Sequence, residues 1–106
     1  MAYSVGNYEE VVDSVPGKKI VITELGWATT ASEFGERASE EKQKRYYNEI
    51  YDWAKKYNVT TFFFEAFDEP WKGNPDNLMG AEKHWGIFFV DRTPKLVMQE
   101  LYPELK

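Results

Sequence analysis

Two short runs of β-branched and aromatic residues, separated by one long amphipathic stretch, restrict this chain more than any other feature. The first run is Ile20-Val21-Ile22-Thr23, followed by Glu24-Leu25-Gly26-Trp27. It is too short for a stable helix and reads as a buried strand. The second, Val59 to Phe67, is VTTFFFEAF, nearly apolar throughout, as strands covered on both faces are. Between them Ser39 is placed to cap a helix, with Glu40 and Glu41 in a first turn where the helix dipole favours acids. From there to about Asn58 the residues Tyr46, Ile50, Trp53 and Tyr57 recur at intervals of four, three and four. Tyr47 and Ala54 widen that stripe into the apolar face of an amphipathic helix, and the Lys/Glu-rich remainder reads as its solvated face. A strand, a helix and a second strand in this order imply a parallel pair in an α/β fold.

The flanks add less. Asn7 to Val15 predicts a short helix ended by Pro16-Gly17, and Ala28 to Ala38 reads as a loop. A long loop is expected from Asp68 to Gly86, with Pro70, Gly73, Asn74-Pro75 and Gly80 along it. Ile87 to Val90 predicts a short extended piece. Thr93-Pro94 then resembles a cap followed by proline at the first helical position, opening a last helix to about Leu101. Asn58-Val59-Thr60 matches the N-glycosylation pattern, but Asn at a helix end leading into a strand is also good turn chemistry, which is the favoured reading. No internal repeat or low-complexity tract interrupts the chain, and 106 residues suit one domain, 1–106.

Composition excludes several function classes. A net charge of −5 and the lack of any Lys/Arg cluster argue against a nucleic-acid partner, which needs a basic face. No apolar run approaches the roughly 18 residues of a membrane span, so no membrane partner is expected. The absence of cysteine removes disulfides and thiolate metal sites but fixes no compartment. Met1-Ala2-Tyr3-Ser4 shows no signal-peptide pattern, and a start directly before apparent domain sequence is read as a cut piece. Aromatics form 17% of the chain, which fits either a core of large side chains or a sugar cleft lined with flat rings.

The chemistry-bearing residues gather at the ends of the two predicted strands. By the two-residue period Ile20, Ile22 and Glu24 share a face, and Glu24 closes it at the C-terminal edge. That edge is where parallel barrel enzymes carry their catalytic groups. Glu24 is thus either a functional carboxylate or simply the point where the strand reaches water. On the second strand Glu65 interrupts an apolar run, with Asp68 and Glu69 just beyond it. Paired carboxylates at one sheet edge are the working parts of glycoside hydrolysis; the plain alternative is a loop beside a Pro turn. Lys72, three residues after Glu69, is placed to pair with it and hold it ionised, and Glu82 and His84 lie further along the loop. His84, the lone histidine, reads as incidental or as a hydrogen-bond donor rather than a metal ligand, so no metal site is expected. Trp27, Trp71 and Trp85 line a sugar cleft or serve plain packing.

These motifs match a known family. ITELGW is similar to the nucleophile strand of family 17 glycoside hydrolases, which act on β-1,3-glucans and, in some members, on mixed β-1,3-1,4-glucans. FFFEAFDEPWK, then EKHWGIF and DRTPK, resemble the last strand and loop of that family, especially its microbial and fungal branch. The similarity runs from about Lys18 to Lys95, and several ordered motifs at compatible spacing carry it. Ala28 departs from it, since the family commonly has Pro there, and is expected to alter the loop rather than the chemistry.

The resemblance implies a (β/α)8 TIM barrel, a retaining mechanism and no cofactor. This chain would be its C-terminal fragment, about the last two strands with their flanking helices, since a barrel of this type takes about 250 residues. Glu24 falls on the nucleophile. Glu69, Lys72 and Glu82 fall on a charged cluster that holds substrate, while Glu65 and Asp68 belong to the same strand motif with less defined roles. The general acid/base belongs to the fourth strand of the family, upstream of everything here, so weak or absent activity is expected of the chain alone. The parent protein is expected to act on a β-glucan and to be secreted, cell-wall or periplasmic. Open sheet edges are expected to favour a homo-oligomer. The alternatives are a non-catalytic glucan-binding or structural module, and a truncated or designed barrel folding unit.

Overall fold

The computed structural model describes residues 2–105, with side chains from Ser4 onward. The chain forms α1 (Ala2–Ser14), β1 (Val21–Leu25), α2 (Glu40–Tyr57), β2 (Thr60–Phe63) and α3 (Leu96–Gln99), with short 3-10 turns at Gly35–Arg37, Ala81–Lys83 and Pro103–Leu105. β1 and β2 pair in parallel, with α2 as the crossover between them. Two parallel strands with flanking helices is the α/β arrangement expected from the strand–helix–strand pattern.

α2 forms as its sequence dictates. The Ser39 side chain accepts the Lys42 backbone N–H at 3.1 Å, Glu40 and Glu41 occupy the first turn, and Lys55 and Lys56 occupy the last. Asn58 closes the helix in the left-handed region at φ 54° and ψ 48°, and its N–H bonds to the Ala54 carbonyl. The turn reading of Asn58 therefore holds; Asn is among the few non-glycine residues that adopt this conformation readily. The buried stripe is Gln43, Tyr46, Ile50 and Ala54. Tyr57, expected on it, is 60% exposed, because the stripe begins one turn earlier at Gln43. Trp53 turns instead to α1, where its ring meets Tyr8 edge-on at 5.2 Å.

The core is small. Leu25, Tyr46 and Ile50 form its centre, with Ile22, Trp27 and Phe63 against it. A second cluster, Ala28, Ala31 and Ala81 with Ala38 and Trp85, sits under the loops beyond the strand ends. The pairing register breaks between Ile22 and Leu25, so both of these residues reach the α2 side. Strict alternation is lost at that break, and Glu24 is exposed while Ile22 is packed. The shared face expected for Ile22 and Glu24 is corrected accordingly.

β2 also differs from expectation. Its ladder ends at Phe63, and Phe67 keeps only a single bridge to Phe88, so Val59 to Phe67 is not one continuous strand. Nor is it covered on both faces, because Phe62 is 58% exposed. The expected extended piece at Ile87 to Val90 is limited to the bridges that Phe88 makes to Phe67 and Pro94. The last helix starts at Leu96 rather than Pro94, since Thr93 turns back to Asp91, donating through its N–H at 3.0 Å and its hydroxyl at 2.6 Å. The first N–H of α3, at Leu96, is satisfied by the Glu40 carboxylate of α2 at 2.9 Å, a partner distant in sequence.

Candidate functional site

Glu24 stands exposed near the C-terminal end of β1, as the strand pattern placed it. Its side chain borders a cavity of about 400 Å³ whose walls include Gly26, Tyr46, Phe64, Glu82 and Trp85. Gly26 is required there: a Cβ would collide with the Phe64 carbonyl oxygen and press on the Trp85 ring. The two strand ends approach so closely because the Phe64 N–H bonds to the Leu25 carbonyl. Glu24 and Glu82, 58 positions apart by their numbers, thus face one space.

Glu65, Glu69 and Lys72 meet beside that space. Lys72 Nζ lies 3.0 Å from Glu69 Oε1 and 3.7 Å from Glu65 Oε1. The same ammonium sits 4.9 Å from the Phe64 ring centroid, and Phe64 also walls the Glu24 cavity, so one ring joins the cluster to the cavity. Burial, reinforced by the hydrogen bond and charge of Glu69, pushes the Glu65 carboxyl up to about 7, against the pull of Lys72. Glu69 moves the other way: the bond from Glu65 and then the Lys72 ammonium hold it below the usual carboxylate range. Lys72 is raised, chiefly by its bond to Glu69. The two carboxyls therefore share one titrating proton, held mainly on Glu65 below about 7, beside a Lys72 that stays charged. Glu65 Oε2 is buried without a hydrogen-bond partner. The peptide between Phe64 and Glu65 is cis.

Asp68 lies apart from this cluster in its surroundings. It is buried, and its Oδ1 accepts from the Lys95 ammonium at 2.8 Å and the Gly86 N–H at 2.9 Å. Lys95 is fully buried and also donates to Thr29 Oγ1 at 2.7 Å. Burial holds Lys95 below the ordinary lysine value, with Asp68 opposing the shift. His84 Nε2 lies 2.8 Å from the Leu78 carbonyl, and Nδ1 lies 3.9 Å from Asp68 Oδ2, so the ring packs between the loop and this ion pair. Lys83, 3% exposed, donates to the carbonyls of Lys72 and Asn74, each at 2.6 Å, and fixes the turn that carries Lys72. Gly73 in that turn has its backbone against Glu82, which brings the Lys72 turn and Glu82 together.

Trp27 borders an apolar cavity of about 300 Å³ together with Phe34, Arg37, Tyr46 and Trp85, and its indole N–H donates to the Arg37 carbonyl at 2.8 Å. Trp71 is 71% exposed at the start of the long loop, beside Lys72. Sequence reasoning missed Gln43, Lys83 and Lys95. All three carry polar groups into buried positions; the partners of Gln43 and Lys95 lie on distant segments, and those of Lys83 are backbone carbonyls of its own loop, which no side-chain pattern reveals. Among the described residues, no group of three or more His, Asp or Glu is placed to hold a metal ion. None of the helices among them is long and apolar enough to cross a membrane.

The model of the BtgE/BtgC glycoside hydrolase domain matches residues 1–86. The chain belongs to that glycoside hydrolase family. It is 35% identical over 99 residues to a glucan 1,3-beta-glucosidase of Arthroderma benhamiae, a match covering 86% of this chain and 32% of that protein. Among solved structures it resembles an endo-laminarinase from Formosa at a TM-score of 0.81 and 33% identity, covering 97% of this chain and 28% of the other. It also resembles an active-site mutant of a Rhizomucor miehei beta-1,3-glucanosyltransferase in complex with laminaritriose, at a TM-score of 0.77 and 30% identity. That match covers 91% of this chain and 34% of the transferase. The chain therefore spans about a third of the relatives it matches. Resemblance to family 17 proteins, drawn from ITELGW and FFFEAFDEPWK, is confirmed, and the two strands with their helices match part of a larger family fold.

Proposed function

We propose that this glycoside hydrolase chain carries the nucleophile half of a retaining site for β-1,3-glucan, within a single partial barrel domain. The observation that supports it is the Glu24 carboxyl at the end of β1, facing a cavity of about 400 Å³ that it shares with Glu82 and Trp85. A glucosyl ring has the size and the apolar faces to lie against such aromatic walls. In the step assigned to Glu24, a carboxylate oxygen forms a bond to the anomeric carbon as the glycosidic C–O bond breaks. The departing oxygen takes a proton from a general acid, and water or a second sugar later releases the glycosyl group.

Glu69, Lys72 and Glu82 hold sugar hydroxyls beside the nucleophile, with Glu65 completing their charge balance and Trp71 offering an exposed ring for stacking. Asp68 serves the site from beneath, through Lys95 and Gly86. A retaining pair stands about 5–5.5 Å apart, and the partner acid belongs to the family's fourth strand, so the chain alone has weak or no turnover. Val21, Phe62 and Phe67 leave an exposed sheet face, and copies of the chain associate through it and through the open strand edges. A monodisperse monomer in light scattering would remove the association.

The test of the site is reducing-sugar release from a soluble β-1,3-glucan by the purified chain, run beside Glu24→Gln. Turnover abolished by the substitution would show that the chain assembles a complete site. No turnover, with laminaritriose binding retained and weakened by Glu24→Gln, is the expected result. Turnover insensitive to Glu24→Gln would overturn the assignment.

A further inference from the structure

One side-chain amide joins the two strand ends that carry the candidate site. Gln43, on the first turns of α2, is fully buried. Its Nε2 donates to the Trp27 carbonyl at 3.1 Å and to the Gly86 carbonyl at 2.9 Å. Both N–H groups of the amide are thereby used, one on each side of the gap between the strand ends.

Each of those carbonyls sits next to a site group. Trp27 is three positions beyond Glu24, on the same continuous stretch of backbone. Gly86 lies between Trp85 and Ile87, and these two grip the backbone of Glu65: the Glu65 N–H bonds to the Trp85 carbonyl at 3.1 Å and the Ile87 N–H to the Glu65 carbonyl at 2.9 Å. Trp85 in turn walls the Glu24 cavity, with its ring edge-on to Phe64. Movement at Gly86 is therefore passed to Glu65 and to the cavity wall together.

The other end of the amide points to the same role. Gln43 Oε1 is buried and has no hydrogen-bond partner. A buried acceptor left unpaired is destabilising, so the amide is a poor choice for simple core filling. What it supplies that no apolar side chain can is a two-pronged donor. Its length on a rigid helix fixes how far apart the two carbonyls stand. The Lys95 ammonium ties Thr29 to Asp68 independently, which keeps the loops attached when Gln43 is changed.

We infer that Gln43 is a positioning residue: by holding Trp27 and Gly86 on one amide it sets the placement of Glu24 relative to Glu65, Glu69 and Lys72. The inference rests on the glucan-site reading for its consequence in binding, but the clamp has its own readout. Gln43→Met keeps the length of the side chain and removes both donors. With the variant folded by circular dichroism, the titration midpoint of Glu65, followed by carboxyl NMR without sugar, moves from about 7 toward the ordinary glutamate value as water reaches it. The charged groups facing Glu65 are Glu69 and Lys72, with Lys95 more distant, and all three are unchanged in the variant. Laminaritriose affinity falls about tenfold, as expected for loss of roughly one well-placed interaction.

An unmoved Glu65 midpoint together with unchanged laminaritriose affinity would overturn the inference. If the unaltered chain binds no laminaritriose, the glucan reading fails, and the Glu65 midpoint alone decides the clamp. If Gln43→Met does not fold, Gln43→Glu takes its place, keeping the volume and restoring one donor only when protonated. Its Glu65 midpoint then depends on the added carboxyl, and a titration identical to the unaltered chain would overturn the inference.

Discussion

Asp68 and Glu69 are neighbours in sequence, and each pairs with a lysine, yet they belong to different worlds. Asp68 meets Lys95 at 2.8 Å where the lysine is fully buried and further bonds come from Thr29 and the Gly86 N–H. Glu69 meets Lys72 at 3.0 Å with both side chains partly exposed, and Glu65 shares the ammonium. The first pair uses its charges to hold three segments together in a place water cannot compete. The second leaves the charges of Glu69 and Lys72 within reach of water beside the Glu24 cavity, with an unpaired Glu65 oxygen buried behind them. Identical chemistry at adjacent residues is structural in one case and free for recognition in the other, and burial is what separates them.

The hardest way to break this comparison is to remove Asp68. Asp68→Ala leaves the Lys95 ammonium buried without its counter-charge, and urea unfolding is expected to show a loss of about 3–5 kcal/mol. Replacing both partners, Asp68→Asn with Lys95→Met, is expected to lose less than the single change. A loss below about 1 kcal/mol for Asp68→Ala would mean that the two pairs are alike.

Acidity sharpens the contrast from the other side. The Glu65 carboxyl is raised from 4.5 to about 7, so the folded state binds its proton more tightly than the unfolded state does. Its stabilising contribution is complete below about 4.5 and is lost as pH rises through about 7. Glu69, lowered by the same pairing, acts in the opposite sense, contributing above its unfolded value and losing that contribution at lower pH. Stability measured from pH 4 to 8 should lose a segment of slope in Glu65→Gln, on the order of 1 kcal/mol after solvent screening. An unchanged profile would place Glu65 among ordinary surface acids.

The smallest effect on folding is expected at Trp71. With 71% of its surface exposed, Trp71→Ala should change stability by about 0.5 kcal/mol or less while weakening laminaritriose binding. Calorimetric titration checks the binding. Equal binding by the variant would remove Trp71 from the proposed site.

Much of the scaffold was legible in the residues themselves. Ser39, the acids after it and Asn58 announced α2 because caps act through bonds within a few positions. Glu24 at a strand end, and Lys72 three residues beyond Glu69, followed from local spacing and were found there. The start of α3 was misplaced because its cap is Glu40, 56 positions away by number, and not Thr93. The alternation in β1 failed because the register break between Ile22 and Leu25 is a property of the pairing with β2 and not of either strand alone.

What the sequence determined by itself is therefore the two strands and the helix between them, their parallel order and the family motifs, since these depend on short-range periodicity and on residue identity. Only the tertiary structure decided which charges are buried. Asp68, Glu69, Lys72, Lys83 and Lys95 look alike in a sequence, and their different roles come from what the fold places over each one. Burial is set by the packing of distant segments, and it controls both the energy of a charge and its proton affinity.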